Sequence, residues 1–428
     1  MIMNSIPVTE RLKMPRHEMP TQEPENRIEN FLEVNLGYSE EIAIEEAQRC
    51  LDCKRAPCSA ACPVNVKIPQ FLMKIVEGEY LAAVDTILED NFLPAICGRV
   101  CPQETLCESQ CVLAKKGKPV AIGNLERFAA DSTGSLRAMR EERIKASPTG
   151  KKVALVGSGP ASLACAGDLV RMGHDVTIYE ALHAYGGVLV YGIPEFRLPK
   201  SIVAFEVESL KRLGVNFEKN VIIGKTITID ELRNEQGFDA VFIGAGAGLP
   251  NFLGIPGEEL IGIYSANELL TRVNLMKAYE KEAITPVLDF RQKILAVFGG
   301  GNTAMDSART ALRMGAEKVY IIYRRTENEM PARREEVLHA KEEGVEFFFL
   351  ASPLIFNGDE KGWLKSVQLQ RMALGEPDAS GRRRPLPIEG SEFSMDVQMA
   401  VIAIGNGSNP LLRKTPGLKF TKWYTLEV

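Results

Sequence analysis

The sequence predicts an α/β protein in which a helical, cysteine-rich region precedes two glycine-ended βαβ units, the second inserted within the domain that the first begins. Three observations predict it. Eight of the nine cysteines fall in two short runs, CLDCKRAPCSAACP (50–63) and CGRVCPQETLCESQC (97–111). KVALVGSGP, an apolar β-branched run ending in glycines, leads into the helical ASLACAGDLVRMG and the strand HDVTIYE (152–180). The same order recurs in ILAVFGGGN, TAMDSARTALRMG and KVYIIYRR (294–325), about 140 residues further on. Both units read as Rossmann-like.

At 428 residues the chain is too long for one core. Its net charge of −5 argues against nucleic acid or an anionic membrane as the main partner. MIMNSIPVTERLKMPRHEMP has no apolar h-region, and no run approaches the length of a membrane span. The expected compartment is the cytoplasm, where clustered cysteines mean metal or redox chemistry more often than disulfides.

Residues 1–40 read as an irregular lead-in. Ser39 can cap a helix that carries Glu40 and Glu41 in its first turn and runs into Cys50. PQFLMKIVEGEYLAAVDTILEDN (69–91) reads as two helices broken near Gly78, and LRAMREERIKASPTGKK (136–152) as a helix plus linker. The expected divisions are a helical domain over 1–145, the first part of a nucleotide-binding domain over 146–290, a second such domain over 291–392, and a return to the first over 393–428. The strand-like FDAVFIGAGAG (238–248) and VQMAVIAIGNGSNP (397–410) suit the two crossings.

The cysteine spacings are Cys50-x2-Cys53-x4-Cys58-x3-Cys62-Pro and Cys97-x3-Cys101-Pro-x4-Cys107-x3-Cys111. Thiolates so closely spaced can converge on one centre. Zinc usually shows paired C-x2-C hooks, and here there is one hook. Cysteine followed by proline is the ending of ferredoxin-type runs, in which the last cysteine of one group ligates the other cluster. Two 4Fe–4S clusters are therefore favoured over structural zinc or disulfides. Cys165, on a helix, reads as a small buried apolar residue. His17, His174, His183 and His339 show no ligand or triad spacing and read as surface or packing residues.

In the first glycine loop, Gly157 permits the tight turn and Gly159 lets the backbone approach a pyrophosphate at the helix start, where Pro160 and Ala161 follow. Glu180 ends the next strand where an acid accepts a ribose hydroxyl. The second loop is Gly299, Gly300, Gly301, Asn302, Thr303 and Ala304, and its following strand ends in Arg324 and Arg325. A carboxylate there would repel a 2′-phosphate, whereas guanidinium groups can grip it, so the second site points to NADP(H) and the first to FAD. The bland reading of the arginines is a solvated strand end. Arg333 and Arg334 could add charge nearby.

With VGSGPASL, GGVLVYGIPEFRLPK (186–200), FGGGNTAMD, YRRTENEMPARREE and the double cysteine knot together, the chain resembles the small (beta) subunit of NADPH-dependent glutamate synthase. The resemblance extends to relatives of that subunit: homotetrameric NADPH glutamate synthase, the NADP-binding subunit of bifurcating ferredoxin:NADP oxidoreductase, sulfide dehydrogenase, and the N-terminal half of dihydropyrimidine dehydrogenase. It implies one cluster on Cys50, Cys53, Cys58 and Cys111. A second would sit on Cys62, Cys101, Cys107 and Glu126, with Cys97 spare, although counting alone would pair eight cysteines as four plus four. It implies FAD along Gly157, Gly159, Pro160, Glu180, Gly187 and Leu189, and NADPH along Gly301, Asn302, Thr303, Arg324 and Arg325. The family closes its FAD domain with a Gly-Asp pair and a covering helix. This chain stops at GLKFTKWYTLEV, so the flavin half-site is expected to be incomplete as written.

The implied activity is an NADPH-dependent oxidoreductase that passes electrons through FAD and 4Fe–4S clusters to a larger glutamate synthase-type subunit, to a ferredoxin- or NAD-linked redox subunit, or within a homo-oligomer. No glutaminase nucleophile or FMN domain is found. The rivals are a bifurcating or sulfide-reducing subunit and a non-catalytic binding module of the same descent.

Overall fold

The computed structural model describes residues 6–134, 136, 146–280, 282–287 and 289–427. Of the stretch expected to run as a helix plus linker, 136–152, residues 137–145 lie outside them. The chain divides into two compact units, one of Met1–Gln22, Glu33–Leu189 and Arg197–Ala245, the other of Glu23–Leu32, Val190–Phe196 and Gly246–Val428.

In the first unit five helices of seven or more residues, among the described residues, build the cysteine-rich region: α1 (Glu40–Gln48), α2 (Ile68–Val76), α3 (Tyr80–Leu88), α4 (Pro94–Val100) and α5 (Ile122–Asp131). The Ser39 hydroxyl caps α1 by accepting from Ile42 N. Gly78, at φ +73°, separates α2 from α3. Phe71, Leu72, Ile75, Ile87, Leu125 and Ala129 fill the core between them. The irregular lead-in is tied down by charge instead. The buried Glu46 accepts from Arg49, His17 N and Ala121 N at 2.6–2.9 Å. Arg16 donates to Glu108 at 2.7 Å, and Arg99 lies between Glu33 and Asp131. Buried charges persist only when paired in this way.

Two helices cross closely at Gly98. A Cβ there would stand 2.6 Å from Arg127 N, so only glycine lets α4 lie on α5. Gly123 likewise leaves room for Gln103, whose Nε2 would be 2.3 Å from an added Cβ.

The same unit holds a four-stranded parallel sheet, β3-β2-β1-β4, made of β1 (Lys152–Val156), β2 (Asp175–Glu180), β3 (Asn216–Lys219) and β4 (Ala240–Ile243). α6 (Pro160–Arg171) connects β1 to β2. Parallel strands joined by a crossover helix are what the alternating patterns predict.

The second unit holds a two-stranded ribbon between β5 (Leu249–Pro250) and a strand at Asn406–Gly407. Its five-stranded parallel sheet is ordered β6-β13-β7-β8-β9: β6 (Ile263–Ser265), β7 (Ile294–Phe298), β8 (Lys318–Tyr323), β9 (Glu346–Phe349) and β13 (Met399–Ile402). An antiparallel sheet of β10 (Ala351–Gly358), β11 (Leu364–Pro377) and β12 (Arg383–Asp396) accompanies it. The parallel sheet thus begins before the boundary expected at 291 and ends beyond 392. Met399–Ile402 pairs with both Ile263–Ser265 and Leu295–Phe298, and these pairings place it in the second sheet before the chain reaches its crossing.

Within this unit α7 (Asn302–Arg313) and α8 (Arg334–Glu342) carry a buried ionic cluster. Glu343 accepts from Arg309, Arg313 and Arg27 at 2.7–2.8 Å, and Arg309 also donates to Glu336. Arg313 stacks 4.0 Å from the centre of the Phe196 ring. Burial works to raise the Glu343 carboxyl, but the charge and hydrogen bonds of the arginines overcome it and hold it below the usual carboxylate range. Segments 23–32 and 190–196, distant in sequence, are fastened to these helices by that cluster.

The Gly98 crossing yields a test. Gly98→Val should destabilise the cysteine-rich region by about 1–3 kcal/mol, or more if α4 cannot shift. Chemical denaturation followed by the helical signal would measure it, and an unchanged midpoint would mean the helices separate freely.

Candidate functional site

The first cysteine loop turns sharply because Asp52 (φ +48°) and Ala56 (φ +36°) take left-handed backbone. A short helical turn then starts at Pro57. Cys50, Cys53, Cys58 and Cys111 line one pocket, walled by Leu51, Pro57, Pro69, Val112, Leu113 and Val120. These are the four cysteines expected to share a centre. Burial pushes the Cys50 thiol up to about 12, with the Cys58, Cys111 and Cys53 thiols adding to it. The same causes take Cys58 to about 11, apart from local backbone donors that oppose them. Each thiolate therefore makes the next costlier, a situation that a bound cationic centre reverses. Among the described residues no three thiol, imidazole or carboxyl groups draw together as they would around a single ion.

The second group forms where α4 meets α5. Burial raises the Cys97 thiol, and Glu126, Cys101 and Cys62 act on it in the same direction. Cys107 is raised by burial and then by Glu108, Glu126, Cys101 and Cys62. Cys62, Cys97, Cys101 and Cys107 thus share one electrostatic neighbourhood with Glu126, whose carboxyl burial lifts to about 7. Asn91, which no sequence motif marks, organises it. Its Nδ2 donates to Glu126 Oε1 at 2.7 Å, and its Oδ1 accepts from Leu93 N at 3.0 Å and from the Cys97 thiol at 3.7 Å. Glu126 Oε2 makes no hydrogen bond among the described residues. Cys165 is half-buried on α6.

At the first glycine loop, a Cβ on Gly157 (φ +89°) would stand 2.7 Å from Gly244 O, so the position needs glycine twice over. A Cβ on Gly159 would meet nothing within 4 Å, which leaves an open cradle beside Pro160, the first residue of α6, and the exposed Ala161. Gly187 (φ +54°) lies against Gly159, at 2.8 Å from an added Cβ to the Gly159 Cα, and Leu189 is buried behind it. Glu180 is buried. Its Oε2 accepts from Ser158 N at 2.9 Å and Ser158 Oγ at 2.5 Å, and its Oε1 from Leu182 N at 2.8 Å. Ser158 Oγ in turn accepts from Gly186 N at 2.9 Å. The acid thus also pins its own loop and retains about one of some four acceptor sites. Ser158 went unnoticed in the sequence, where only the glycines around it carry a motif.

At the second loop Gly299 (φ +152°) passes Ala403, with 2.3 Å from an added Cβ to Ala403 O. Gly300 lies under the Tyr323 ring, Gly301 caps α7, Thr303 is exposed and Ala304 is fully buried. Asn302 Oδ1 accepts from Arg333 N at 2.9 Å, and Gly300 O from Ala332 N at 3.2 Å. The turn after β8 therefore folds back onto the loop and brings Arg333 to it. The two strand-end arginines separate. Arg324 is exposed, with no ion pair among the described residues. Arg325 is buried, donating to Arg383 O at 2.7 Å and Asp378 Oδ2 at 2.8 Å.

An acid-ended glycine loop in one unit and an arginine-flanked one in the other make this a two-nucleotide reductase fronted by a thiol-lined metal region. Comparison with known proteins agrees. Residues 27–137 match the family "Dihydroprymidine dehydrogenase domain II, 4Fe-4S cluster", and residues 151–428 match "Pyridine nucleotide-disulphide oxidoreductase". The chain is 38% identical to the glutamate synthase [NADPH] small chain of Halomonas elongata, over 91% of its own length and 82% of that protein's. It is also 38% identical to the putative oxidoreductase AegA of Escherichia coli, over 93% of its own length, but spans only 60% of that relative. Among solved structures, FprA, a Mycobacterium tuberculosis oxidoreductase, aligns with a TM-score of 0.51 at 22% identity, covering 63% of this chain and 73% of that one, a likeness of fold alone. The chain belongs to the glutamate synthase small-chain family of pyridine nucleotide oxidoreductases. It carries that family's domains for 4Fe–4S, FAD and NADP(H). Among the described residues no helix is long and apolar enough to cross a membrane.

The separation of the arginines is testable without any ligand. Arg325→Ala removes a buried guanidinium that donates to Arg383 O and Asp378 Oδ2 and should cost about 1 kcal/mol of stability. Arg324→Ala should fall within about 0.5 kcal/mol of the parent. Equal thermal shifts in the two variants would contradict the assignment.

Proposed function

We propose that the protein takes reducing equivalents from NADPH and delivers them as single electrons through two 4Fe–4S centres to a partner subunit, in the cytoplasm, as the small chain of a glutamate synthase-type enzyme. The observation that carries this is the joint presence, in one chain, of the four-thiol pocket and two glycine loops whose flanking charges are opposite.

Cys50, Cys53, Cys58 and Cys111 would hold one cluster, and Cys62, Cys101, Cys107 and Glu126 the other. The free Oε2 of Glu126 and the engagement of the Cys97 thiol by Asn91 support Glu126 over Cys97. FAD would lie against Gly157, Gly159, Pro160, Ala161, Gly187 and Leu189, with the remaining acceptor site of Glu180 for a ribose hydroxyl. NADP(H) would lie along Gly299, Gly301, Asn302, Thr303 and Ala304. Arg324 would take the 2′-phosphate, with Arg325 shaping the strand end from behind and Arg333 placed beside the loop. When bound, these groups supply the hydride and one-electron chemistry; the chain supplies position, charge and exclusion of water. The open backbone at Gly159 and the α6 N-terminus favour a pyrophosphate. The thiolates and one carboxylate give the two centres different donor sets, a means of setting their potentials apart.

Arg324→Glu should raise the KM for NADPH by about tenfold or more, while changing that for NADH by less than about twofold. Equal losses for the two coenzymes in steady-state assays would refute the 2′-phosphate role. Cys97→Ser should retain the iron content of the parent, whereas Glu126→Ala should lose iron from one centre and alter its EPR spectrum. The reverse pattern would make Cys97 the ligand.

A further inference from the structure

The second cysteine group brings five donors, Cys62, Cys97, Cys101, Cys107 and Glu126, into one neighbourhood. A four-iron centre takes four protein ligands, so one donor is surplus. Both rivals for the last place, Cys97 and Glu126, bond to the same side chain, Asn91.

Asn91 lies in the short joint between α3 and α4. Its backbone is fixed first, since Asn91 N donates to Ile87 O at 2.8 Å and closes α3. The neighbouring Phe92 is pinned by α6. A Cβ on Gly167 would stand 2.3 Å from the Phe92 ring, and the Arg171 guanidinium lies 4.8 Å from that ring's centre. The amide is then oriented by its partners. Leu93 N can only donate, so the Asn91 oxygen must be the end that faces it, 3.0 Å away. The nitrogen therefore faces Glu126 Oε1, 2.7 Å away. Asn91 and Glu126 are both buried, where such bonds are stronger than in water. The Asn91 oxygen also takes the hydrogen of the Cys97 thiol at 3.7 Å. The Cys97 backbone is held separately: its N donates to Leu93 O at 2.9 Å, and its O accepts from Gln103 Nε2 at 2.8 Å.

We propose that Asn91 is the positioning residue that chooses the fourth ligand, presenting Glu126 to the second centre and holding Cys97 out of it. The proposal rests on the functional reading given above. With Oε1 anchored by the amide N–H, Glu126 keeps Oε2 for iron. Cys97 has its hydrogen committed to the amide oxygen. As a bound thiolate it would instead set sulfur lone pairs against an oxygen that can only accept. One amide thus favours the carboxylate with its donor end and disfavours the thiolate with its acceptor end. Among the described residues no other group hydrogen-bonds the Glu126 carboxylate, so losing the amide releases it. Supporting hydrogen bonds of this kind decide how firmly a ligand is held and how it tunes the metal.

The test compares anaerobically purified Asn91→Ser and Asn91→Ala, each with and without Cys97→Ala, against the parent. Serine can still accept from Leu93 N but is too short to reach Glu126, which covers a failure of the alanine variant to fold. With Asn91 replaced, Cys97 should take the place of Glu126. Iron per chain should then stay at the parent's value, while the EPR spectrum and midpoint potential of one centre shift. Adding Cys97→Ala to that background should release the iron of that centre to the chelator ferrozine about tenfold faster or more, because neither rival is then held. Cys97→Ala alone should leave the release rate of the parent unchanged. Parent-like EPR and potential in the Asn91 variants would reduce the amide to a packing group and overturn the proposal. So would loss of the centre in Asn91→Ser with Cys97 intact, or release rates that Cys97→Ala does not alter in that background. Parent protein that lacks iron, or that loses it on Cys97→Ala alone, fails the functional reading. An iron-replete parent indifferent to Cys97→Ala, with Asn91 variants that match it, fails only the ligand choice.

Discussion

The second cysteine group and both glycine loops are built where the backbone must pass another segment more closely than any side chain allows. Gly98 lets α4 rest on the backbone of Arg127, Gly157 passes Gly244, Gly187 rests on Gly159, and Gly299 passes Ala403. A methyl group at any of these points would force the segments apart, because packed interiors have no slack to absorb it. The Gly98 crossing gathers Cys97, Cys101 and Glu126. The Gly157 and Gly187 approaches leave the cradle at Gly159 open. The Gly299 turn aims the chain at the start of α7.

Around these crossings the protein uses charge in two different ways. One set of buried ions is paired and acts as fasteners: Glu46 with Arg49, Glu108 with Arg16, and Glu343 with Arg27, Arg309 and Arg313. Breaking one such pair would leave a desolvated charge, at a cost of about 3–5 kcal/mol. They hold segments of little regular structure in each unit. At the second glycine loop the exposed Arg324 makes no ion pair among the described residues. Free charge at a surface is available to a ligand, whereas paired charge is not.

Local features were legible in the sequence, and tertiary ones were not. The glycines after β1 and β7 follow apolar runs and precede helices, so pattern alone exposes them. The grouping of Cys111 with Cys50, Cys53 and Cys58 came from family resemblance and not from spacing. Arg324 and Arg325 read as an equivalent pair, yet the bend after β8 sends one to solvent and the other into the Asp378 contact. Asn91, Ser158 and Gly98 carry no motif, since their partners are distant in sequence or visible only in the fold. Met399–Ile402 resembles a crossing strand, and only its pairing with β6 and β7 assigns it to the second sheet.

The central proposal is that the two cysteine groups hold iron–sulfur centres that take electrons from a flavin reduced by NADPH. Its most direct test is anaerobic purification, followed by iron, sulfide, zinc and flavin analysis and then addition of NADPH under EPR and visible spectroscopy. The account predicts about eight irons and one FAD per chain, bleaching of the flavin band, and reduced-cluster signals. Zinc in place of iron, or protein that stays colourless and unresponsive to NADPH, would contradict it.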